Sequence, residues 1–264
     1  MYHNQSRPQV NIIIFIFLLF IFILPAFLYL FYIERQQDIW EDWQRKERER
    51  QQDLQLLSKV TSIDRGELSE RELVIQLLKN GFDENKIWHD LYIKKYDGNF
   101  TQVDIVIATN AGLIAVEVKD YAGWIYGKYY ERYWMQVLSY GKFKNKFYNP
   151  FMQNQKHIES IRKLLYNQKI RIFNLVVFSG NCRLENISGI PADCFLTTQQ
   201  NFIDVVKTIA NDSKFSNSRL FLNYRDEISM INKFKKAHSY GNDYNIVQEH
   251  IRHVQEIKEK YNAS

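Results

Sequence analysis

Two carboxylates and a lysine stand at one end of two neighbouring apolar segments of the chain. Asp104 opens the first segment, and Glu117 and Lys119 close the second. The run between the segments, from Thr109 to Gly112, has the composition of a hairpin turn. With Thr109 paired to Gly112, the register places Asp104 opposite Glu117, their side chains roughly 4.5–5.5 Å apart on one face. Lys119 follows on that face because side chains alternate along a strand.

Facing carboxylates at this position indicate a bound cation. Both faces of the predicted hairpin carry apolar side chains, so the hairpin is expected to be buried on both sides. Two opposed carboxylates would destabilise such a hairpin unless a positive charge lies between them. Hard cations such as Mg²⁺ are commonly held by one or two carboxylates plus substrate phosphates. We therefore expect Asp104 and Glu117 to bind a divalent metal ion. The alternative is a solvated strand end with Lys119 as the ion-pair partner.

Five short motifs place this carboxylate pair in a wider pattern. In chain order they are Gly66-x-x-Ser69-Glu70, Thr101-Gln102-Val103-Asp104, Gly112-Leu113-Ile114-Ala115-Val116-Glu117-Val118-Lys119, Asp120-Tyr121-Ala122-Gly123-Trp124-Ile125-Tyr126-Gly127 and Asn149-Pro150-x-x-Gln153-Asn154-x-x-His157. Their order and spacing resemble the PD-(D/E)XK nuclease superfamily, and within it the nuclease-related domain known as NERD. Ser69 stands where that family usually has glycine, and Asp120 where it usually has asparagine. Neither departure removes a presumed ligand.

The resemblance implies an α/β fold with a restriction-endonuclease-like αβββαβ core, in which helices flank a mixed sheet. It also implies metal-assisted hydrolysis of phosphodiester bonds. Asp104, Glu117 and Glu70 would then bind Mg²⁺ or Mn²⁺, which lowers the pKa of a bound water and screens the phosphate. Lys119 would position that water or stabilise developing charge, and Gln153 would contact the substrate or a metal-bound water.

Several of these residues also fit a simpler interpretation. Glu70 fits an acidic residue in a first helical turn, where the helix dipole favours negative charge. Gln153 fits a polar residue filling a first-turn position. Lys119 could be the counter-ion of the two carboxylates in the metal-free protein. His157 shares a helical stripe with Gln153 and is expected to be a structural, hydrogen-bonded imidazole.

Apolar periodicity independently predicts the elements that would position these side chains. In chain order they are a helix over residues 65–80, strands over 87–94, 103–108 and 113–118, a helix from 150 to about 166 and a strand over 172–178. Asn149 caps the second helix, with Pro150 at its first position. Further helices are expected over residues 202–209, 220–234 and 244–261, which would pack on this core.

An aromatic and basic stretch lies between the hairpin and the capped helix. Its candidates for nucleic-acid contact are Lys142, Lys144, Lys146, Tyr133 and Trp134. Basic side chains neutralise phosphates and aromatic rings stack on unpaired bases, so the stretch could hold a nucleic acid, DNA rather than RNA, beside the metal. The same alternation of lysine and phenylalanine equally fits a half-buried strand with a solvated lysine face.

Residues 12–33 form an uncharged apolar run that is long enough to span a bilayer as a helix. The run contains no convincing signal-peptide cleavage site. Arg7 is the basic residue before it, whereas five Lys and Arg residues follow between Arg35 and Arg50. The positive-inside rule then places the rest of the chain in the cytoplasm. We expect a single-pass protein of the cell membrane.

These features predict five regions: a tail over residues 1–11, a transmembrane helix over 12–33, a charged helical spacer over 34–60, a nuclease core over 61–180 and a helical C-terminal extension over 181–264. Ile39, Trp43, Leu54 and Leu57 resemble part of a coiled-coil seam in the spacer, which would make a homodimer. The wholly polar gap between Trp43 and Leu54 argues against that seam.

Composition limits the function only weakly. The formal net charge is +5, from 35 Lys and Arg against 30 Asp and Glu, which does not by itself indicate nucleic acid. Cys182 and Cys194 lack metal-ligand spacing and fit a reducing compartment. Two classes of function remain: a membrane-anchored nuclease, and a membrane-tethered binding module for nucleic acid or protein that has a nuclease-like fold and no useful activity.

Overall fold

One long helix, α1, covers Ile12–Leu57 and contains the predicted membrane span and most of the predicted spacer. The computed structural model describes residues 12–166, 170–211 and 224–262, so the predicted tail over residues 1–11 lies outside the described residues. Two compact units divide the chain, Met1–Asp53 and Leu54–Ser264. The described apolar side chains of α1 are exposed from Ile14 to Tyr32, and α1 is long and apolar enough to cross a membrane, a test that a signal sequence also meets.

The second unit is built on a five-stranded mixed sheet with the strand order β1-β2-β3-β7-β9. Its strands are β1 (Ile87–Lys94), β2 (Phe100–Thr109), β3 (Gly112–Lys119), β7 (Ile172–Phe178) and β9 (Cys194–Thr198). The first three strands pair antiparallel, whereas β3, β7 and β9 pair parallel. We call this sheet the central sheet.

Helices cover both faces of the central sheet. They are α2 (Leu68–Lys79), α3 (Pro150–Leu165), α4 (Phe202–Asn211), α5 (Tyr224–Tyr240) and α6 (Tyr244–Asn262). One face packs on α2 and α4 through a cluster that includes Leu73, Ile105 and Val206. The other face packs on α3 and α5, with Ile158 and Phe234 at its centre. Burial on both faces explains why β3 and β7 are almost continuously apolar.

A second, four-stranded sheet with the order β6-β5-β4-β8 is inserted between β3 and α3 and is completed after β7. Its strands are β4 (Gly123–Lys128), β5 (Tyr133–Leu138), β6 (Phe143–Tyr148) and β8 (Cys182–Ser188). One face carries Ile125, Trp134 and Phe147, which pack against Phe151 and Phe178. We call this the second sheet; the predicted core did not include it.

The predicted αβββαβ order is confirmed by α2, β1, β2, β3, α3 and β7. Two predictions are wrong. Residues 181–264 are not wholly helical, because β8 and β9 occupy their first part and each pairs in parallel with an earlier strand. Leu57 cannot belong to an exposed coiled-coil seam, because it is 2% exposed and packs in the core beside α2.

Candidate active site

The hairpin that carries the two carboxylates has the predicted register over its apolar length. Thr109 pairs with Gly112, and the pairing continues to Ile105 and Val116. Beyond that point the ladder stops, although both strands go on. The backbone N–H of Val118 donates instead to Oδ2 of Asp104, at 2.7 Å. The Asp104 carboxylate therefore replaces a main-chain acceptor where the two strands separate.

The neighbouring strand β1 is irregular at the same level of the sheet. Asp90 has a left-handed backbone with φ of 53°, and it interrupts the pairing of β1 with β2 between His89 and Leu91. The expected alternation along β2 is also broken there, because Val103 packs on the α3 side and Ile105 on the α2 side. A regular strand would put Val103 and Ile105 on the same face, as the sequence predicts from alternation, and the structure shows that this expectation is wrong. At this irregularity Asp104 leaves the ladder of paired residues, and its half-buried side chain accepts from Val118 instead.

Glu117 lies at the end of β3 and is 1% exposed. Its Oε1 accepts a hydrogen bond from the Lys119 ammonium. Its Oε2 is 3.3 Å from Nε2 of His157 on α3. That approach lacks hydrogen-bond geometry, so both Glu117 Oε2 and His157 Nε2 are buried atoms without a hydrogen-bond partner among the described residues. A buried carboxylate oxygen whose one contact is an ion pair without hydrogen-bond geometry needs an explanation, and a bound ligand supplies one.

The two carboxylates respond oppositely to their surroundings. Burial, and then the negative charges of Glu117 and Glu70, raise the pKa of Asp104 well above its usual range. Burial alone would raise the pKa of Glu117 as well, but the positive charge of Lys119 and the neighbouring His157 imidazole outweigh it, and the pKa of Glu117 is lowered. Burial opposes the charged form of Lys119, yet Glu117 and Asp104 raise its pKa. The lysine therefore stays cationic.

Glu70 reaches the site from α2 on the other side of the sheet. Its Oε2 lies 3.1 Å from Nε2 of His89, whose Nδ1 lies 3.1 Å from the Thr61 hydroxyl. Gly66 lets these side chains pack, because a Cβ there would come within 2.5 Å of both His89 and Glu70. Its φ of +65° also favours glycine. This contact accounts for the Gly66-x-x-Ser69-Glu70 spacing.

The predicted three-ligand metal site is not assembled. Across residues 12–166, 170–211 and 224–262 no group of three or more His, Cys, Asp and Glu side chains is arranged to hold a metal ion. Glu70 is engaged by His89 and acts on Asp104 through its charge. Asp104 and Glu117 therefore remain the candidate donors for a cation.

The capped helix α3 brings one further group to the carboxylates. Asn149 accepts from the Phe151 N–H at its start, and buried Asn154 donates to the Ala115 carbonyl of β3. These bonds fix the helix so that His157 reaches Glu117 while its Nδ1 lies 2.9 Å from the Thr101 hydroxyl. From its helical stripe His157 is predicted to have only a structural role, whereas the structure places its imidazole beside Glu117. Its place on the stripe of Gln153 was the available signal.

Gln153 lies one turn before His157 on α3 and is half-buried. Its backbone N–H continues the helix by donating to Asn149. No side-chain hydrogen bond of Gln153 is found within the described part of the chain. Its predicted contact with substrate stays a prediction.

Comparison with known proteins agrees with this arrangement. Residues 65–179 match the family model described as a nuclease-related domain (NERD). The chain carries a nuclease-related domain. A relative, an uncharacterized protein of Bacillus anthracis, is 32% identical over 102 residues. Those residues are 39% of this chain and 47% of the relative, so the chain spans less than half the length of the relative it matches. No solved structure matches the chain.

A nuclease-related domain implies the use of a divalent metal ion, and the residues of this one fit it. Asp104 and Glu117 supply the oxygen ligands that hard cations require. One of these oxygens is buried without a hydrogen bond, and ionisation of the other carboxylate is opposed by burial and by neighbouring negative charge. A cation between them would remove both costs. Mg²⁺ usually binds one or two carboxylates and keeps several waters, so the two-residue donor set suffices.

The basic stretch of the nuclease-related domain lies in the second sheet. Lys142, Lys144 and Lys146 are all exposed, and Tyr133 is 42% exposed. Trp134 is 1% exposed, and its indole N–H donates to the Lys128 carbonyl. Its ring cannot stack on a base in this structure, so Trp134 is removed from the predicted nucleic-acid-binding residues.

Proposed function

We propose that this chain is a membrane-anchored, metal-dependent nuclease that hydrolyses phosphodiester bonds of nucleic acid, with DNA as the preferred substrate. One observation carries the proposal: Asp104, Glu117 and Lys119 meet where β2 and β3 separate, within a nuclease-related domain. A buried acidic pair next to a lysine with a raised pKa is the arrangement expected of a site that handles a phosphate.

Asp104 and Glu117 would hold the metal, with Mg²⁺ or Mn²⁺ as the ion. When bound, the ion would supply a water of lowered pKa and would screen the charge of the phosphate. Lys119 is cationic, so it would stabilise negative charge that develops on the phosphate and would not act as a general base. His157, steadied by the Thr101 hydroxyl, would orient the Glu117 carboxylate.

The membrane part of the proposal rests on α1. The side chains of this helix that the structure describes between Ile14 and Tyr32 are exposed, including Phe17, Phe22 and Phe27 at 65–70%. A helix of this composition is stable in a bilayer, where the hydrocarbon solvates such side chains. By the positive-inside rule, the basic residues that follow the apolar run support a cytoplasmic position for the nuclease-related domain. A homodimer through the spacer stays a prediction.

A second candidate function is a membrane-tethered binding module that does not cleave. Two observations favour it. Lys119 already neutralises Glu117, as a counter-ion would, and the described residues contain no cluster of three or more metal-binding side chains. Such a module would keep the fold of the nuclease-related domain and bind nucleic acid or protein.

Both candidates are separated by one assay. The full-length chain in detergent is incubated with single- and double-stranded DNA and RNA in Mg²⁺ or Mn²⁺, beside Glu117→Ala. The nuclease predicts cleavage by the wild type and none by the variant. Equal cleavage by both proteins would contradict the mechanism, because a contaminating enzyme would then explain it. Binding without cleavage by either protein would support the second candidate.

A further inference from the structure

The two faces of the second sheet are unequally covered: one packs against the core cluster around Ile125 and Trp134, whereas the other carries exposed side chains around Val137, which is itself 8% exposed. Because side chains alternate along a strand, the residues on either side of buried Ile125, buried Trp134 and partly buried Phe147 project to the opposite face. We call this opposite side the stacking face. Its aromatic and basic residues are Trp124, Tyr126, Tyr133, Tyr148, Lys144 and Lys146.

The register of the second sheet sorts these residues into rows. Trp124 is aligned through Val137 with Lys144. In the next row, Tyr126 is aligned through Met135 with Lys146. Two of the three rows therefore carry an aromatic ring and a lysine ammonium, and successive rows along a strand are roughly 7 Å apart.

The third row is wholly aromatic. Tyr133 pairs with Tyr148, and their ring centroids are 6.3 Å apart. Cations border both rings: the Arg132 guanidinium lies 5.5 Å from the Tyr133 centroid, and the Lys156 ammonium lies 4.7 Å from the Tyr148 centroid. This row connects the face to α3, since Lys156 directly precedes His157.

The exposure and the charge of these rows indicate which class of ligand the stacking face would bind. Trp124 is 37% exposed and Tyr133 is 42% exposed, which is more than a sheet needs for its own packing. Lys144 and Lys146 are exposed cations, whereas the acidic residue of the same face, Glu185, is paired with Arg183. Rings that stack on bases and cations that neutralise phosphates are together the composition of surfaces that bind single strands.

We propose that the stacking face binds single-stranded nucleic acid and presents it to the carboxylate site. A duplex would offer phosphates to the lysines, but its bases are already stacked on each other and leave the four rings unused. The second sheet begins at Gly123, shortly after Lys119, so the face and the site are joined by a short connection. The inference rests on the proposed function for the class of ligand and deepens it by naming the single strand.

The test measures binding without cleavage. Full-length protein in detergent and EDTA is titrated against fluorescein-labelled oligodeoxythymidine and against a duplex of equal length, with fluorescence anisotropy as the readout. Tyr133→Leu and Tyr148→Leu are each expected to weaken single-strand binding by roughly fivefold or more, which is the range of one lost base stack. Tyr133→Phe keeps the ring and is expected to bind like the wild type. Tyr96→Leu changes an 88% exposed tyrosine outside the face and is the matched control.

Three results would overturn the inference: wild-type binding to the duplex as tight as to the single strand, unchanged affinity in both leucine variants, and displacement of the oligonucleotide by polyglutamate at equal charge. The last result would identify a general polyanion surface, such as one for an acidic protein. Because EDTA removes the metal, tight single-strand binding supports the inference even if the cleavage assay fails. Cleavage without preferential binding of single strands would support the proposed function and contradict the inference about the stacking face.

Discussion

The end of the central sheet and the stacking face of the second sheet hold charge in opposite ways. At the end of the central sheet, helices cover both faces, Glu117 is 1% exposed and the pKa of Asp104 is raised by burial and by neighbouring carboxylates. On the stacking face, Lys144 and Lys146 are exposed to solvent. Burial makes ionisation of the carboxylates at the end of the central sheet unfavourable, whereas water solvates the charged lysines of the stacking face at little cost.

This difference assigns the two regions separate tasks. A buried, strained arrangement of charge can be relieved by a metal ion and a phosphate, so substitutions there should change chemistry and stability together. A solvated surface of rings and lysines can change only how tightly a ligand is held. Variants on the central sheet and on the second sheet therefore test whether the two tasks are separate. The expected loss of activity is large for variants at the end of the central sheet and small for variants on the second sheet.

The largest effect is expected from Glu117→Gln, which keeps the shape and removes the charge. Cleavage by the full-length protein should fall by more than roughly 100-fold, because substitution of a group that merely orients a metal ligand already costs about 10- to 100-fold. Nuclease assays under single-turnover conditions measure the loss. Glu159→Gln, an exposed residue of α3, is the matched control and should cleave normally. Equal losses in both variants would show that the loss of any one negative charge, and not the site, lowers cleavage.

The next effect concerns the residue that orients Glu117. His157→Gln and Thr101→Val should each slow cleavage by about 10- to 100-fold, because they release Glu117 Oε2 from its neighbour on α3. The loss should appear in kcat or in the affinity for Mn²⁺, with little change in KM for the nucleic acid. A change confined to KM would place His157 among substrate contacts instead.

Local signals made much of this site predictable. The turn from Thr109 to Gly112 fixes the hairpin register, and Asn149 with Pro150 fixes the start of α3, so these elements follow from nearby residues alone. The resemblance named the carboxylates and the lysine. Each of these predictions depends on residue types that lie within a few positions of each other in the sequence.

Contacts between distant segments were not predictable in the same way. Asp104 leaves the ladder where β1 is irregular at Asp90, and that irregularity has no signature in the hairpin itself. His157 meets Thr101 across 56 positions of sequence, so periodicity showed its face and not its partner. Trp134 was expected to be exposed because of its basic neighbours, whereas its strand turns it towards Phe151 and Phe178.

A smaller effect on stability is expected from Asp104→Asn in the metal-free protein. Since the folded-state pKa of Asp104 is raised above the usual 3.8, its stabilising contribution is present below that pH and is lost as pH rises through the folded-state value. The variant should therefore have a higher Tm than the wild type at pH 7, by roughly 2–4 °C for each kcal/mol recovered, and a smaller advantage near pH 4. Thermal melts in EDTA measure both values.

The control for this prediction is Asp204→Asn, an exposed residue of α4, whose change should stay within about 0.5 kcal/mol. A divalent cation should reduce the difference in Tm between the wild type and Asp104→Asn. It binds and stabilises the wild type more, because only the wild type keeps both carboxylate ligands. A lower Tm for Asp104→Asn at pH 7 in EDTA would mean that its bond to Val118 outweighs the cost of its charge.

The smallest effect is expected on the second sheet. The double variant Lys144→Ala and Lys146→Ala should cleave at a normal maximal rate and bind single strands a few-fold less tightly. The slope of log K against log salt should fall by about 1.4, since each phosphate contact to a single strand contributes about 0.7. An unchanged slope would show that these lysines are a solvated strand face and nothing more.

The account depends on Asp104 and Glu117 sharing a divalent cation, and calorimetric titration of the full-length protein with Mn²⁺ tests this most directly. The wild type should bind the ion at one site, with a measurable heat of binding. That heat should disappear in Asp104→Asn and in Glu117→Gln. It should remain in Glu70→Gln, because Glu70 is held by His89. Uptake that is unchanged in both carboxylate variants, or absent from the wild type, would contradict the account.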